Sequence, residues 1–440
     1  MLDKLNYRLF WNWDHSTNWC LNTVGRQNTG VSNLYTKRGN EFERDYKRMI
    51  DWAADHGVSS VGCVALLRDC HGGYESARRI CGYAREKGVR VNLIAGLYSY
   101  GGLYYEGNSP LSLNRFLEKH PECMATDLNG DPRIIKFGHP HGWMHEPVAC
   151  PSNPTVRNYV LDTLAFLFMV LPELGGIQME TGDCTPVCMC EKCRERRALW
   201  KGGERRIPQL SLSDMAGIYP DAANTVWSIN PDAWVVCEMY THYLNNPIYM
   251  DAENPCIKAM CTLPDKCFLQ WGDRHFPHKV WEDFAPVPEH LRKFRNIYRC
   301  HHSTQWAEGR HTLTVEKIRR QCEMAADAGI QGVSIFGECS AFHANTEFNY
   351  LAFQYFADHP HATLRAFAEE VMASRLACTA DVAERYIQLA DLIYDREKIP
   401  AATQEISKIL GGLVDSDAQR RWMYLGSFLN AYYWESIQKS

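Results

Sequence analysis

From residue 7 to about residue 338, apolar runs of strand length alternate with segments of helical period, and no other feature constrains the fold as tightly. Residues 7–13, 59–66, 89–96, 176–180, 233–239, 267–271, 297–301 and 332–336 have the length and the β-branched or aromatic content of buried strands. Between them, residues 41–56, 74–87, 113–120, 153–170, 213–229, 289–295 and 314–328 have the spacing of helices. Gly57, Gly88 and Gly329 stand just past three of these, where a left-handed cap is expected. Repeated strand–helix units imply a parallel sheet, and eight of them predict an α/β fold, the (β/α)8 barrel, with long insertions after the third and fourth strands. An open doubly wound sheet would carry a glycine-rich phosphate turn after an early strand, and the chain has no GxGxxG or Walker pattern.

Beyond residue 346 the pattern becomes continuously helical, with Phe348, Leu351, Phe356, Leu364, Phe367, Val371, Tyr386, Leu389, Trp422, Leu425 and Tyr432 at helical spacings. We expect residues 1–345 to form the catalytic barrel and residues 346–440 a helical region packed on it, compatible with a homodimer. At 440 residues the chain exceeds the roughly 250–300 at which single cores stop growing, which agrees with a large domain plus an appendage. The net charge of -5, with acids and bases interspersed, leaves no basic stripe for nucleic acid. No apolar run reaches the roughly 20 residues of a membrane helix, and no basic-then-apolar leader is visible. The expected location is therefore cytoplasmic.

Eighteen cysteines fit a reducing compartment. Cys184, Cys188, Cys190 and Cys193 crowd one loop, but their spacing is not that of two CxxC pairs. A reduced structural loop is the simpler reading, zinc the alternative, and the expectation is no metal and no cofactor.

Polar groups gather where the strands stop, the position of catalytic groups in such barrels. Asp14 and His15 follow the first strand, Glu180 and Asp183 the fourth, Glu238 the fifth, Asp273 the sixth, His301 and His302 the seventh, and Glu338 the eighth. The insertion from Leu97 to Cys150 adds Arg133, His139, His141, Trp143, His145 and Glu146, and a loop of this length is usually functional. Its three histidines suit proton transfer near neutral pH better than a metal site. Glu180 and Asp183 resemble the paired carboxylates of sugar hydrolases, although Glu180 would equally pair with an arginine in the barrel mouth. Arg68 or Arg133 has the planar fork that holds a substrate carboxylate.

The runs Phe116-Leu-Glu-Lys-His-Pro-Glu122, Asp127-Leu-Asn-Gly-Asp-Pro-Arg133 and Ala149-Cys-Pro-Ser-Asn-Pro154, with Glu180-Thr-Gly-Asp183 and Glu347-Phe-Asn-Tyr-Leu351, resemble barrel glycoside hydrolases. Asp14, His71, His139 and Asn345 are placed similarly to the active centre of the inverting exo-sialidases of glycoside hydrolase family 156. That resemblance implies Asp14 as base on water, His139 as acid with His141 or His145 as substitutes, and sialylated glycans as substrate. Substrate contacts would fall to His71, Arg133, Trp143, Glu180, Asp183 and Asn345. A second resemblance, to endo-β-N-acetylglucosaminidases with a Cys-rich loop after the fourth strand, implies Glu180 as acid with Glu338 or Glu238 as partner. A sialoside carries its own carboxylate beside the reacting carbon, so like-charge repulsion disfavours a carboxylate nucleophile and favours the first reading.

Overall fold

The computed structural model describes residues 2–13, 17–20, 39–104, 109–139, 142–180, 186–201, 210–239, 244–272, 284–300, 309 and 311–438, with backbone alone for residues 136–139 and 142–145. Its strands are β1 (Tyr7–Asn12), β2 (Ser60–Val64), β3 (Arg90–Gly96), β4 (Ile134–His139), β5 (Gly142–Pro147), β6 (Gly176–Glu180), β7 (Trp234–Met239), β8 (Phe268–Trp271), β9 (Arg295–Arg299) and β10 (Gly332–Phe336). In the order β1, β10, β9, β8, β7, β6, β3, β2 they close a parallel barrel, while β4 and β5 form a separate antiparallel hairpin. The fold is a (β/α)8 barrel. Around it run α1 (Gly39–Asp55), α2 (Gly73–Glu86), α3 (Leu113–Lys119), α4 (Pro154–Val170), α5 (Glu191–Trp200), α6 (Leu212–Ala216), α7 (Tyr219–Ile229), α8 (Pro255–Met260), α9 (Val315–Ala328) and α10 (Ala344–Asp358).

Two expected helices are not continuous. The helix over 213–229 is split into α6 and α7, because Pro220 lacks the N–H that would bond the Ala216 carbonyl. Of the helix over 289–295 only the turn Glu289–Leu291 forms, and Arg295 opens β9 instead. Asn296 explains this ending: its side chain donates to the Leu291 and Phe294 carbonyls, which would otherwise continue a helix. The hairpin β4–β5 was not anticipated within the long insertion.

Closure depends on a bare backbone at Gly332, which pairs with Tyr7; a Cβ there would stand 2.5 Å from the Tyr7 carbonyl oxygen. Strand alternation then sorts the interior by height. At the lower end Tyr7, Leu9, Trp234, Val236, Phe268 and Ile297 pack together, Tyr7 edge-on to Phe268 with ring centroids 4.9 Å apart. Two residues further along the same strands stand Trp11, Glu238, Gln270 and Arg299. The lower interior is thus a dry plug and the upper one polar, which places any chemistry at the C-terminal ends of the strands.

The chain continues into the helices Ala380–Ala390, Ile399–Gly412 and Ser416–Ile437. Among the described residues no helix is long and apolar enough to cross a membrane. α10 joins these helices to the barrel: Tyr350 and Phe353 lie against Phe10 of β1, and Glu347 takes a two-pronged bond from Arg421 at 2.8 and 2.6 Å.

At the same junction His343 is buried, with its ring centroid 4.4 Å from His311 and 5.5 Å from Tyr424. Burial, with Arg420 nearby, holds its pKa down to about 4 from the ordinary 6.5. The unfolded chain therefore binds the proton first. The stabilising effect of a neutral His343 is intact above pH 6.5 and is lost as pH falls towards 4, by up to about 3 kcal/mol. In His343→Gln the fall in melting temperature between pH 7 and 4.5 should be visibly smaller than in the wild type; identical slopes would contradict this assignment.

Candidate active site

The upper layer of the interior is one polar chain across four adjacent strands. Gln270 of β8 donates to Gln178 Oε1 at 3.3 Å, and Gln178 of β6 donates to Glu238 Oε1 at 3.4 Å. Arg299 of β9 completes it, donating Nη1 to Glu238 Oε1 at 2.5 Å with Glu180 Oε1 at 3.7 Å. All are buried, Glu238 to 1% exposure and Arg299 to 5%. Gln178 and Glu180 share this face because they are two apart on one strand.

Arg299 also lies over the indole of Trp11, its guanidinium carbon 4.1 Å from the ring centroid. Trp13, edge-on to Trp11, and Phe336 complete an aromatic wall. The guanidinium is thus held between two carboxylates and an aromatic face. That arrangement suits anchoring and orientation.

Two further features mark this end of the barrel. Ala65 and Tyr100, in the loops after β2 and β3, adopt left-handed backbone with φ of 59° and 54°, as Lys201, His311 and Ala377 do elsewhere, a conformation that costs a non-glycine residue energy. Trp11 Nε1 and Gln270 Oε1, both buried, have no hydrogen-bond partner among the described residues. A buried donor and acceptor in one layer call for a bound molecule or water.

The sequence-derived residues distribute as follows. Glu180 meets an arginine in the mouth, as its structural reading required. Glu338 accepts from the Trp13 backbone N–H at 3.2 Å, so the chain leading to Asp14 is tied to the end of β10. Arg133, half-buried, donates Nε to the Val187 carbonyl at 3.3 Å, and its Nη atoms make no bond among the described residues. Glu146 of β5 accepts from Asn114; burial pushes its carboxyl up, with Arg68 pulling the other way.

Two residues are placed differently from the rim position expected of them. His71 is fully buried, stacked on Phe42 of α1 with centroids 4.1 Å apart. Asn345, also fully buried, donates to the His311 carbonyl at 2.9 Å and accepts from the Tyr386 hydroxyl at 3.1 Å, joining α10 to a C-terminal helix. Asp14, His15, His141, Asp183, Asp273, His301 and His302 lie outside the described residues, as do the side chains of His139, Trp143 and His145. The His139 backbone pairs with Gly142 next to the turn of the hairpin, whose opposite end is fixed by the buried side chain of Ile135.

The sequence reading missed Arg299, Gln178, Gln270 and Trp11 as a group. A signal was available: each sits at an inward position of its strand, and a charged or amide side chain there must be paired.

No protein-family model matches the sequence, and no curated protein is similar to it. Solved structures do share its fold. A GH138 enzyme targeting pectin rhamnogalacturonan II aligns with TM-score 0.54 and 10% identity over 98% of this chain and 57% of that one. CpGH89 from Clostridium perfringens, in complex with its substrate GlcNAc-α-1,4-galactose, aligns with TM-score 0.55 and 12% identity over 97% of this chain and 49% of that one. This is a barrel architecture that glycoside hydrolases use. The chain spans about half the length of these two proteins.

Proposed function

We propose that the chain is a glycoside hydrolase acting at the upper end of the barrel, and that it releases terminal sialic acid by a single inverting displacement. The observation that carries the first part is the buried Glu180–Arg299–Glu238 layer beneath an aromatic wall, at the strand ends where barrel enzymes work. The two fold neighbours, a GH138 enzyme targeting pectin rhamnogalacturonan II and a GH89 protein in complex with its substrate GlcNAc-α-1,4-galactose, support the same class.

Three arguments favour the sialidase over a hydrolase with two catalytic carboxylates. Glu180 and Glu238 are both engaged by Arg299, and in this scheme the proton for the leaving group comes from another side chain. An imidazole from the hairpin, His139 in the family resemblance, meets that need near neutral pH. Arg133 keeps the outer edge of its guanidinium uncommitted among the described residues, the fork that a sugar carboxylate would take. In this scheme Asp14 takes a proton from water as its oxygen attacks the anomeric carbon. The glycosidic bond breaks on the opposite face, and His139 gives its proton to the departing oxygen.

A panel of chromogenic sialosides and hexosaminides tests substrate class, with turnover expected on the sialosides alone. Arg133→Ala should lower kcat/KM for a sialoside roughly 10- to 100-fold, the value of a charge-assisted bond, mainly through KM. Turnover restricted to hexosaminides would instead select the carboxylate reading, with Glu180 and either Glu238 or Glu338.

A further inference from the structure

We infer that Cys150, Cys188, Cys190 and Cys193 form a structural zinc site that fastens the long third insertion to the loop after β6. The four sulfurs, three from one short segment and one from 38 residues earlier, all lie within 4.8 Å of one another. Cys150 Sγ is 3.6 Å from Cys188 Sγ and 3.7 Å from those of Cys190 and Cys193. A tetrahedron with zinc–sulfur bonds of about 2.3 Å has edges of about 3.8 Å, so the spacing is that of four ligands around one ion. It is far too wide for a disulfide, whose sulfurs stand about 2.05 Å apart. It is also too tight for a cluster with several irons between the cysteines. Four soft ligands and no oxygen or nitrogen donor select zinc over the hard cations.

Local structure prepares the site. Cys190 is the N-cap of α5 and Cys193 lies in its first turn, so the Cys-x-x-Cys pair faces one way at the end of a helix whose dipole favours thiolate. Thr126 donates its backbone N–H to Cys188 Sγ at 3.4 Å, and the Ser152 hydroxyl lies 3.1 Å from Cys193 Sγ. Outer contacts of this kind orient ligands in metal centres. Arg196, beside Cys193, forms a buried ion pair with Asp214 and donates to Ser152 at 2.8 Å, holding α5 against the segment that carries Cys150.

With four cysteines there is no open position, so the ion takes no part in chemistry. Its place in the fold is at the edge of the mouth. Cys150, Cys188 and Cys193 belong to the same apolar cluster as Trp11, Trp13, Tyr100 and Phe336, and Ile135 anchors the hairpin to that cluster. Cys184, in the loop but outside the described residues, is not needed as a ligand. This inference is independent of which sugar the enzyme cleaves.

The test is metal analysis of the full-length protein purified without added metal or chelator. Inductively coupled plasma mass spectrometry should find one zinc per chain. Cys188→Ser and Cys190→Ser should lose it and melt at lower temperature, whereas Cys184→Ser should keep it. Where a ligand variant fails to fold, wild-type protein titrated with a mercurial should release one zinc as four thiols react. Cobalt substitution should give the intense thiolate charge-transfer bands of a tetrahedral sulfur site. Iron in place of zinc, a disulfide among the four, full zinc retention in Cys188→Ser, or metal-free protein with four freely reactive thiols would each overturn the assignment.

Discussion

Replacing Arg299 with methionine is expected to destabilise the protein by about 3–5 kcal/mol, among the largest losses available to one substitution here. Glu238 is 1% exposed and bonded to Arg299 at 2.5 Å, and Glu180 is 7% exposed at 3.7 Å. Without the guanidinium both carboxylates would be left buried without their counter-charge. The lost stacking on Trp11 adds a smaller term. The origin of the loss is separable from packing: adding Glu238→Gln to Arg299→Met should recover a substantial part of it, because the most deeply buried charge is gone. Chemical denaturation of the two single variants and the double variant measures the coupling, and additive effects would show that Arg299 acts by volume rather than by charge. Turnover should fall as well, since the layer beneath the sugar would lose its geometry.

The second large effect concerns rate, with stability unchanged. Asp14→Ala and His139→Ala should each lower kcat by about 10²- to 10⁴-fold, the range of a lost general base or acid, with melting temperatures within a degree or two of wild type. The two losses should differ by substrate. A sialoside with an acidic phenol as leaving group needs little protonation, so His139→Ala should be mild on it and severe on an alkyl sialoside. Asp14→Ala should be severe on both. If neither substitution changed the rate, the chemistry would pass to Glu180 and its neighbours.

The barrel was legible in the sequence because each strand is buried on both faces and reads as an apolar run, and the eight strands lie within two residues of their expected bounds. Misreadings arose where one residue overrides local pattern. Pro220 breaks a helix whose apolar spacing continues through it, and Asn296 ends a helix by capping it from outside. The alternation of Ile134, Lys136 and Gly138 with Ile135, Phe137 and His139 does carry a strand signal. It was obscured by the loop residues around it.

At the site, the kinds of residue were visible but their partners were not. Glu180 stood out as a strand-end carboxylate, whereas Arg299, 119 positions later, becomes its neighbour only once β6 and β9 are bent around one axis. The cysteines show the same limit. Adjacency in the chain nominated Cys184 as the fourth member of the group and disfavoured metal. Folding brings Cys150 to Cys188, Cys190 and Cys193, because α4 carries the chain away from the mouth and β6 returns it.

The most direct test of the account is proton NMR of the sugar first released from an α-sialoside by the full-length enzyme. Single displacement by water predicts the β-anomer of free sialic acid at early times, with the α-anomer appearing only as mutarotation proceeds. Initial release of the α-anomer, or no hydrolysis of any sialoside, would contradict it.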